Sequence, residues 1–465
     1  MKLAVVYLGV LVACSPQPRP SPAGEGVVGE TARENRFAVV PAADSIPDGS
    51  SRVLTNTMYV EDLALVHDVL WVATRGGVER YVGDDHSNRR VFTTLDGLDS
   101  NHVWQIGVKG GGIVARTRDS ACTLSNERFH CTAAAALPTP QPVVSAPFEG
   151  RRVTARAGRF VGTAGAGVWL DSTRPRQLTP TDQICSNHFM AIAEWKGQVW
   201  LGAFDDGLCV TSDFRSFETI DAPFRMVNDL AVTPRGLYVA AAAGLFRSTD
   251  GKTFERVDFV DRRGVNGLAF DGKSLWVTTP GALWRVRVNG GPPSRTYWRP
   301  GGTRSLQGVA AGVHGVWLAS EDKGAIHKQR RGFEVFDRVS GAPTSWSLAV
   351  AVDDSGNAFV ATLRHGLLRI DRRGRVRTIK GVPDEWLLDV RVLDGQVFVG
   401  TQGGAARIDD SGAIQPIADL PHPNVHAFYV GRGGTWVATE GGTLVRGHAP
   451  VSNSLEITPD FGGGA

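Results

Sequence analysis

A unit of about 40 residues recurs ten times between Met58 and Gly447, and no other feature constrains the fold of this chain so tightly. Each unit carries an apolar-alternating stretch, a short polar turn, a strand of aromatic-Val-Gly/Ala-Thr character, a Gly-centred turn and an apolar-x-Arg strand. Clear copies of the second strand begin at Trp71, Phe160, Trp200, Trp276, Phe359, Phe398 and Trp436, while Tyr238 and Trp317 hold the same register and residues 113–116 form the weakest copy. Register positions 71, 114, 160, 200, 238, 276, 317, 359, 398 and 436 are 38 to 46 residues apart, the period of a four-stranded propeller blade.

The local pattern explains why such a unit is buried on both sides. In Trp71-Val72-Ala73-Thr74 successive side chains point to opposite sheet faces, and both sets are apolar or small, so each blade is sandwiched between others. The aromatic fills the wedge, and the small residue two positions on lets the neighbouring sheet approach. Gly77, Gly207, Gly244, Gly281, Gly324, Gly366, Gly404 and Gly442 follow at similar offsets, where hairpin turns call for positive φ. Long amphipathic helical patterns are absent, which argues against parallel α/β sheets. The expected fold is all-β, a β-propeller of about ten four-stranded blades. A single ring is the simplest closure. A ring of seven or eight blades with extra strands is the alternative, because repeat two lacks its aromatic and the Pro-rich stretch Leu137 to Pro147 separates it from repeat three.

Leu70 to Tyr81, followed by Phe92-Thr93-Thr94-Leu95-Asp96-Gly97-Leu98-Asp99-Ser100-Asn101-His102-Val103-Trp104-Gln105-Ile106, resembles the two-component-regulator propeller repeat of bacterial extracytoplasmic sensors. Later repeats keep the strand pattern but lose the Asp-Gly-Leu-x-Ser-Asn connector. The resemblance implies a propeller serving as a sensory domain. No kinase, transmembrane or DNA-binding pattern follows Gly447, so signalling output is expected to lie with a separate partner. Residues 248–254, Ser-Thr-Asp-Gly-Lys-Thr-Phe, resemble the Asp-box turn of sialidase-like and sortilin-like propellers, one residue short between Asp250 and Phe254, with a structural role implied.

At the amino terminus Lys2 precedes an apolar run from Leu3 to Val12, and Leu11-Val12-Ala13-Cys14 resembles the lipobox of bacterial lipoproteins. The run is too short to span a bilayer. The expected organisation is a signal peptide over 1–13, an acylated Cys14 opening a Pro-, Gly- and Ser-rich tether over 14–36, the propeller over 37–458 and a tail over 459–465. Ser15, where an Asp would imply inner-membrane retention by the same resemblance, makes an outer-membrane anchor the expectation.

Four further cysteines remain, an even number in an oxidising compartment. A hairpin turning at Asn126-Glu127 places Cys122 opposite Cys131, which leaves Cys185 for Cys209. There is no Cys-x-x-Cys pair, and the spacings do not match a zinc knuckle.

Catalytic signatures are missing. Gly244 and Gly251-Lys252-Thr253 do not have phosphate-loop spacing, and there is no Gly-x-Ser-x-Gly or His-Glu-x-x-His. His422-Pro-Asn-Val-His426 has a helical ligand spacing on a segment that Pro423 makes extended, which reads as loop or blade packing. Carboxylate pairs such as Asp84-Asp85, Asp353-Asp354 and Asp409-Asp410 sit at turns, where they cap backbone N–H groups. With 50 basic against 47 acidic residues, the net charge of +3 and the absence of a basic run argue against nucleic acid.

In a propeller, loops between second and third strands gather on one face with the links between blades. The first set supplies Arg75, Asp205, Asp206, Glu321, Asp322, Lys323, Arg364, His365, Gln402 and Glu440; the second supplies His102, His188, Trp346 and Trp386. Mixed charge with aromatics suits a polysaccharide, a peptide or an envelope protein. The expectation is a monomeric, lipid-anchored envelope protein whose propeller is a non-catalytic binding module, sensory or scaffolding, with no metal or cofactor. The alternative is a propeller glycoside hydrolase or polysaccharide lyase, which would need convergent carboxylates about 5 to 9.5 Å apart for hydrolysis.

Overall fold

The second strand of most repeats offers an apolar set to each side, and in the computed structural model both sets are buried wherever a blade lies between two others. The structure describes residues 49–83, 88–136, 146–258, 264–288, 296–298, 302–303 and 305–447. These form ten four-stranded antiparallel sheets, with a 3-10 turn at Thr94–Asp96. Nine sheets are four consecutive strands: blade 1 (60–92), blade 2 (105–133), blade 3 (153–177), blade 4 (189–220), blade 5 (227–256), blade 6 (267–298), blade 7 (306–336), blade 8 (347–379) and blade 9 (387–416). Blade 10 takes three strands from 425–446 and its outermost strand, Ser51–Leu54, from the other end of the body, with Leu54 opposite Thr443. Cys14 and its lipobox, the tether and the tail lie outside the described residues. Among the described residues no helix is long and apolar enough to cross a membrane.

The blades do not form one ring of ten. From blade 4 to blade 10 each innermost strand packs on the next, and blade 10 returns to blade 4, closing a ring of seven. Its seven seams are seven separate apolar clusters, the last joining Phe189, Val199 and Leu201 of blade 4 to Ala427, Trp436 and Ala438 of blade 10. Blades 1 to 3 form an arc in the order 3–1–2, with Trp71, Ala73 and Phe92 of blade 1 packed on blade 2, and Val60, Leu70 and Val72 on Phe160 of blade 3. Residues 58–66, which a single ring requires beside 443–457, are instead at the centre of this arc. The smaller ring with leftover strands is therefore what the packing builds.

The physical reason lies on the arc's two outer faces. On blade 2, Val114, Thr123 and His130 pair in a row where blade 1 has its wedge aromatic, and Thr123 and His130 are exposed. Such a face needs no further blade. On blade 3 the chain caps itself: Phe148 packs with Val153, Val161 and Trp169, and the Arg151 guanidinium lies 4.2 Å from the Trp169 ring centre.

Between packed blades the small residue after the aromatic is obligatory. A Cβ on Gly202 would come within 2.5 Å of Val227 in blade 5, and one on Gly162 equally close to Val60. A buried aspartate adds a polar tie: the Asp229 carboxylate accepts from Leu230 N at 2.9 Å and from Leu268 N of the next blade at 2.8 Å, as Asp62 does from Leu63 and Ile106. Arg391 bridges Asp389 at 3.1 Å and Asp229 at 3.8 Å, linking the innermost strands of blades 9 and 5. The arc is hooked to the ring by the connector motif, since Asn101 Nδ2 donates to Gly441 O at 3.0 Å and its N–H to Pro421 O at 3.2 Å. Asn187 and Asn56 join the two bodies again through paired amide–backbone bonds of 2.7 Å.

Both expected disulfides form. Asn126 and Glu127 adopt φ of 50° and 61°, the two-residue turn places Cys122 opposite Cys131, and Cys185 reaches Cys209. Non-reducing peptide mapping of the exported protein should recover these two links alone; free thiols at all four positions would contradict the pairing. The Asp-box stretch is also structural: Asp250 Oδ1 accepts from Lys252 N and Thr253 N, each at 2.8 Å. Asp213 repeats this with Arg215 and Ser216 in blade 4.

Candidate functional site

In eight blades the innermost strand carries a bulge close to its start, and the extra residue is aimed away from the ladder. In blade 1 that residue is Glu61, and in blade 10 it is His426. The residue after the second strand is fixed beside it, because its N–H bonds a carbonyl just ahead of the innermost strand: Arg75 to Tyr59 at 3.1 Å, Phe204 to His188 at 2.9 Å, Gln402 to Trp386 at 3.0 Å and Glu440 to Asn424 at 3.2 Å. A third residue comes from the link into the next blade. Where the bulge is present, three positions remote in sequence can thus meet at a seam, on the face that carries the second-to-third-strand turns.

Two seams fill these positions with ionisable groups. Between blades 1 and 2 the Glu61 carboxylate takes Arg75 Nε at 2.8 Å and His102 Nε2 at 3.2 Å, with the Arg75 guanidinium 3.5 Å from the Tyr59 ring centre. Burial would raise the Glu61 carboxyl, but its hydrogen bonds to His102 and Arg75 outweigh this and hold it below its ordinary value. Between blades 10 and 4 the same positions are His426, Glu440 and His188. His426 Nε2 lies 3.1 Å from Glu440 Oε1, the His188 and His426 rings are 4.9 Å apart, and His188 stacks on Phe204 at 4.8 Å. His188 Nε2 is buried and has no hydrogen-bond partner among the described residues. Burial, then the neighbouring His426, drive the His188 imidazole down to about 4. Burial opposes ionisation of Glu440, yet the hydrogen bond from His426 and the imidazoles around it prevail and hold it at about 2. His422 lies close by and accepts from Asn424 N through Nδ1 at 3.1 Å.

The other expected site residues are spread around the ring. Asp205 accepts from Ser186 Oγ at 3.3 Å, beside Asp206 in the blade 4 turn. In blade 7 Glu321 accepts from Ser305 Oγ at 2.7 Å, Asp322 from Ser320 Oγ at 2.7 Å, and Lys323 is held by its N–H to the same hydroxyl at 3.2 Å. The Arg364 guanidinium sits 4.5 Å from the Trp386 ring centre, bridging blade 8 to the link into blade 9. His365 Nδ1 lies 3.1 Å from Leu363 O, and Trp346 is 48% exposed, next to that strand end. Gln402 contributes its backbone bond to Trp386. Sequence reading placed His188 and Glu440 on this face but assigned His426 to packing, and Glu61 went unnoticed; the His422-x-x-x-His426 spacing was the available signal.

No family model matches the chain, and no curated protein matches it in sequence. Its fold, however, occurs among solved structures. The extracellular domain assigned to the hybrid two-component system BT3049 of B. thetaiotaomicron superposes with a TM-score of 0.52 at 13% identity, covering 83% of this chain and 56% of that one. The corresponding domain of BT4673 from the same organism gives 0.48 at 13% identity over 84% of this chain and 70% of that one. PorZ, a surface component of the type-IX secretion system of Porphyromonas gingivalis, gives 0.48 at 15% identity over 83% and 68%. The chain thus spans about half the length of the BT3049 domain, and it shares with that extracellular domain the β-propeller fold to which its repeat pattern pointed.

Proposed function

We propose that this protein is a lipid-anchored propeller of the cell envelope that binds a polar polymer, a peptide or an envelope protein on the ring face carrying the second-to-third-strand turns, and that it does so without catalysis. The observation that carries this reading is the aromatic and cationic surface at blades 8 and 9, where half-exposed Trp346 adjoins the Arg364–Trp386 stack. Stacking platforms with a fixed guanidinium suit sugar rings and peptide backbones, which offer flat faces and hydrogen-bond acceptors. Probing glycan and peptide arrays with the full chain is the direct test. A Trp346→Ala/Trp386→Ala variant should lose at least about tenfold in affinity for any class bound, as expected for removal of aromatic anchors. Unchanged binding by that variant would move the site elsewhere.

The envelope location rests on Cys14 and the short apolar run ahead of it. Cys14→Ser is expected to release the protein from the membrane fraction. Retention of that variant after a high-salt wash would count against lipid anchoring.

A further inference from the structure

We propose that His188, His426 and Glu440 form a binding site for one divalent transition-metal ion of the zinc type, at the seam where the seven-bladed ring closes. This goes beyond ligand recognition by the ring face and departs from the expectation of a metal-free protein drawn from sequence alone.

Three observations carry the site. Each of the three side chains offers a ligand atom, and these atoms all lie within 4.8 Å of one another. Tetrahedral zinc with bonds of about 2.0–2.1 Å needs donors about 3.3 Å apart, so the cluster has to contract by no more than about 1.5 Å to hold an ion. His426 and Glu440 are already at 3.1 Å. Second, His188 Nε2 is buried with no hydrogen-bond partner among the described residues, a cost that an ion would remove.

The third observation is the internal comparison with the arc. At the blade 1–2 seam the same three positions hold Glu61, Arg75 and His102, and the Arg75 guanidinium supplies a fixed positive charge to the carboxylate. At the ring seam Glu440 occupies the position that Arg75 holds in the arc, and this carboxylate lies against two imidazoles. The arc version carries its own cation, whereas the ring version has the donor set to recruit one. Two imidazoles and one carboxylate select zinc-like ions over magnesium or calcium, which prefer oxygen ligands. Three protein donors leave a fourth position for water or for a group on a bound ligand.

The test uses the full chain, stripped with chelator and titrated with Zn²⁺ against a chromophoric competitor, and with Co²⁺ to read coordination from its visible spectrum. One equivalent of Zn²⁺ is expected, with an intense tetrahedral-type Co²⁺ band. His188→Ala should weaken zinc binding by about a hundredfold or more, and the near-isosteric Glu440→Gln by at least about tenfold. Glu61→Gln in the arc should leave uptake unchanged. Zinc should raise the melting temperature of the wild type and not that of Glu440→Gln, a readout that also shows the variant to be folded. Absence of zinc uptake at micromolar concentration, or uptake indifferent to both His188→Ala and Glu440→Gln, would overturn the site.

Discussion

Trp436→Ala is expected to destabilise the ring by about 3–5 kcal/mol, the cost of emptying a large aromatic site in a well-packed core. Trp436 is fully buried where blade 10 meets blade 4, lies edge-on to Phe214 at 5.5 Å, and donates its indole N–H to Arg432 O at 2.8 Å. Removing it opens a cavity and strips a carbonyl of its partner. The informative control is Val114→Ala, the equivalent register position of blade 2. Val114 faces outward beside exposed Thr123, so its truncation should cost about 1 kcal/mol or less. In a single ring of ten blades the two positions would both be interblade wedges. Denaturant midpoints for the two variants therefore test the topology, and comparable losses at both sites would argue against a ring of seven with an arc of three.

The blade itself was legible in sequence because its determinants are local. Period-two alternation puts Trp71 and Ala73 on one face and Leu70 and Val72 on the other, and the structure buries each pair against a different neighbour. Turn chemistry was legible for the same reason: of the eight glycines singled out, all but Gly281 adopt positive φ. Ring size was not, since an apolar face records that it needs a partner and not which sheet supplies it. The clue was at repeat two, where Val114 replaces the aromatic because its face meets solvent. Two of the three residues at the ring seam were equally visible, as His188 and Glu440 lie at predictable loop positions. His426 was obscured by the bulge at residues 425–427, which breaks the alternation from which side-chain direction is inferred.

The buried carboxylate Glu79 gives the second large effect. Its side chain is fully buried in blade 1, takes Arg89 Nη2 at 2.6 Å and Nε at 2.8 Å, and accepts further bonds from Thr57 Oγ1 at 2.6 Å and Tyr81 OH at 3.0 Å. Gln183, in the link from blade 3 to blade 4, closes the network: its Oε1 accepts from Thr57 N–H at 3.0 Å and lies 2.8 Å from Thr57 Oγ1. The network thus ties the arc's central blade to the strand that leads into the ring. Arg89→Leu would leave the Glu79 charge buried without its cation, and a loss of about 3–5 kcal/mol is expected. Glu79→Leu/Arg89→Leu together should cost clearly less than Arg89→Leu alone, because the double change removes the stranded charge along with its partner. A complete double-mutant cycle with Glu79→Leu, followed by chemical denaturation, measures this coupling. Additive losses across the cycle would show that Glu79 and Arg89 act separately, and that the arc is held to the ring by the Asn101 and Asn187 bonds without this ion pair.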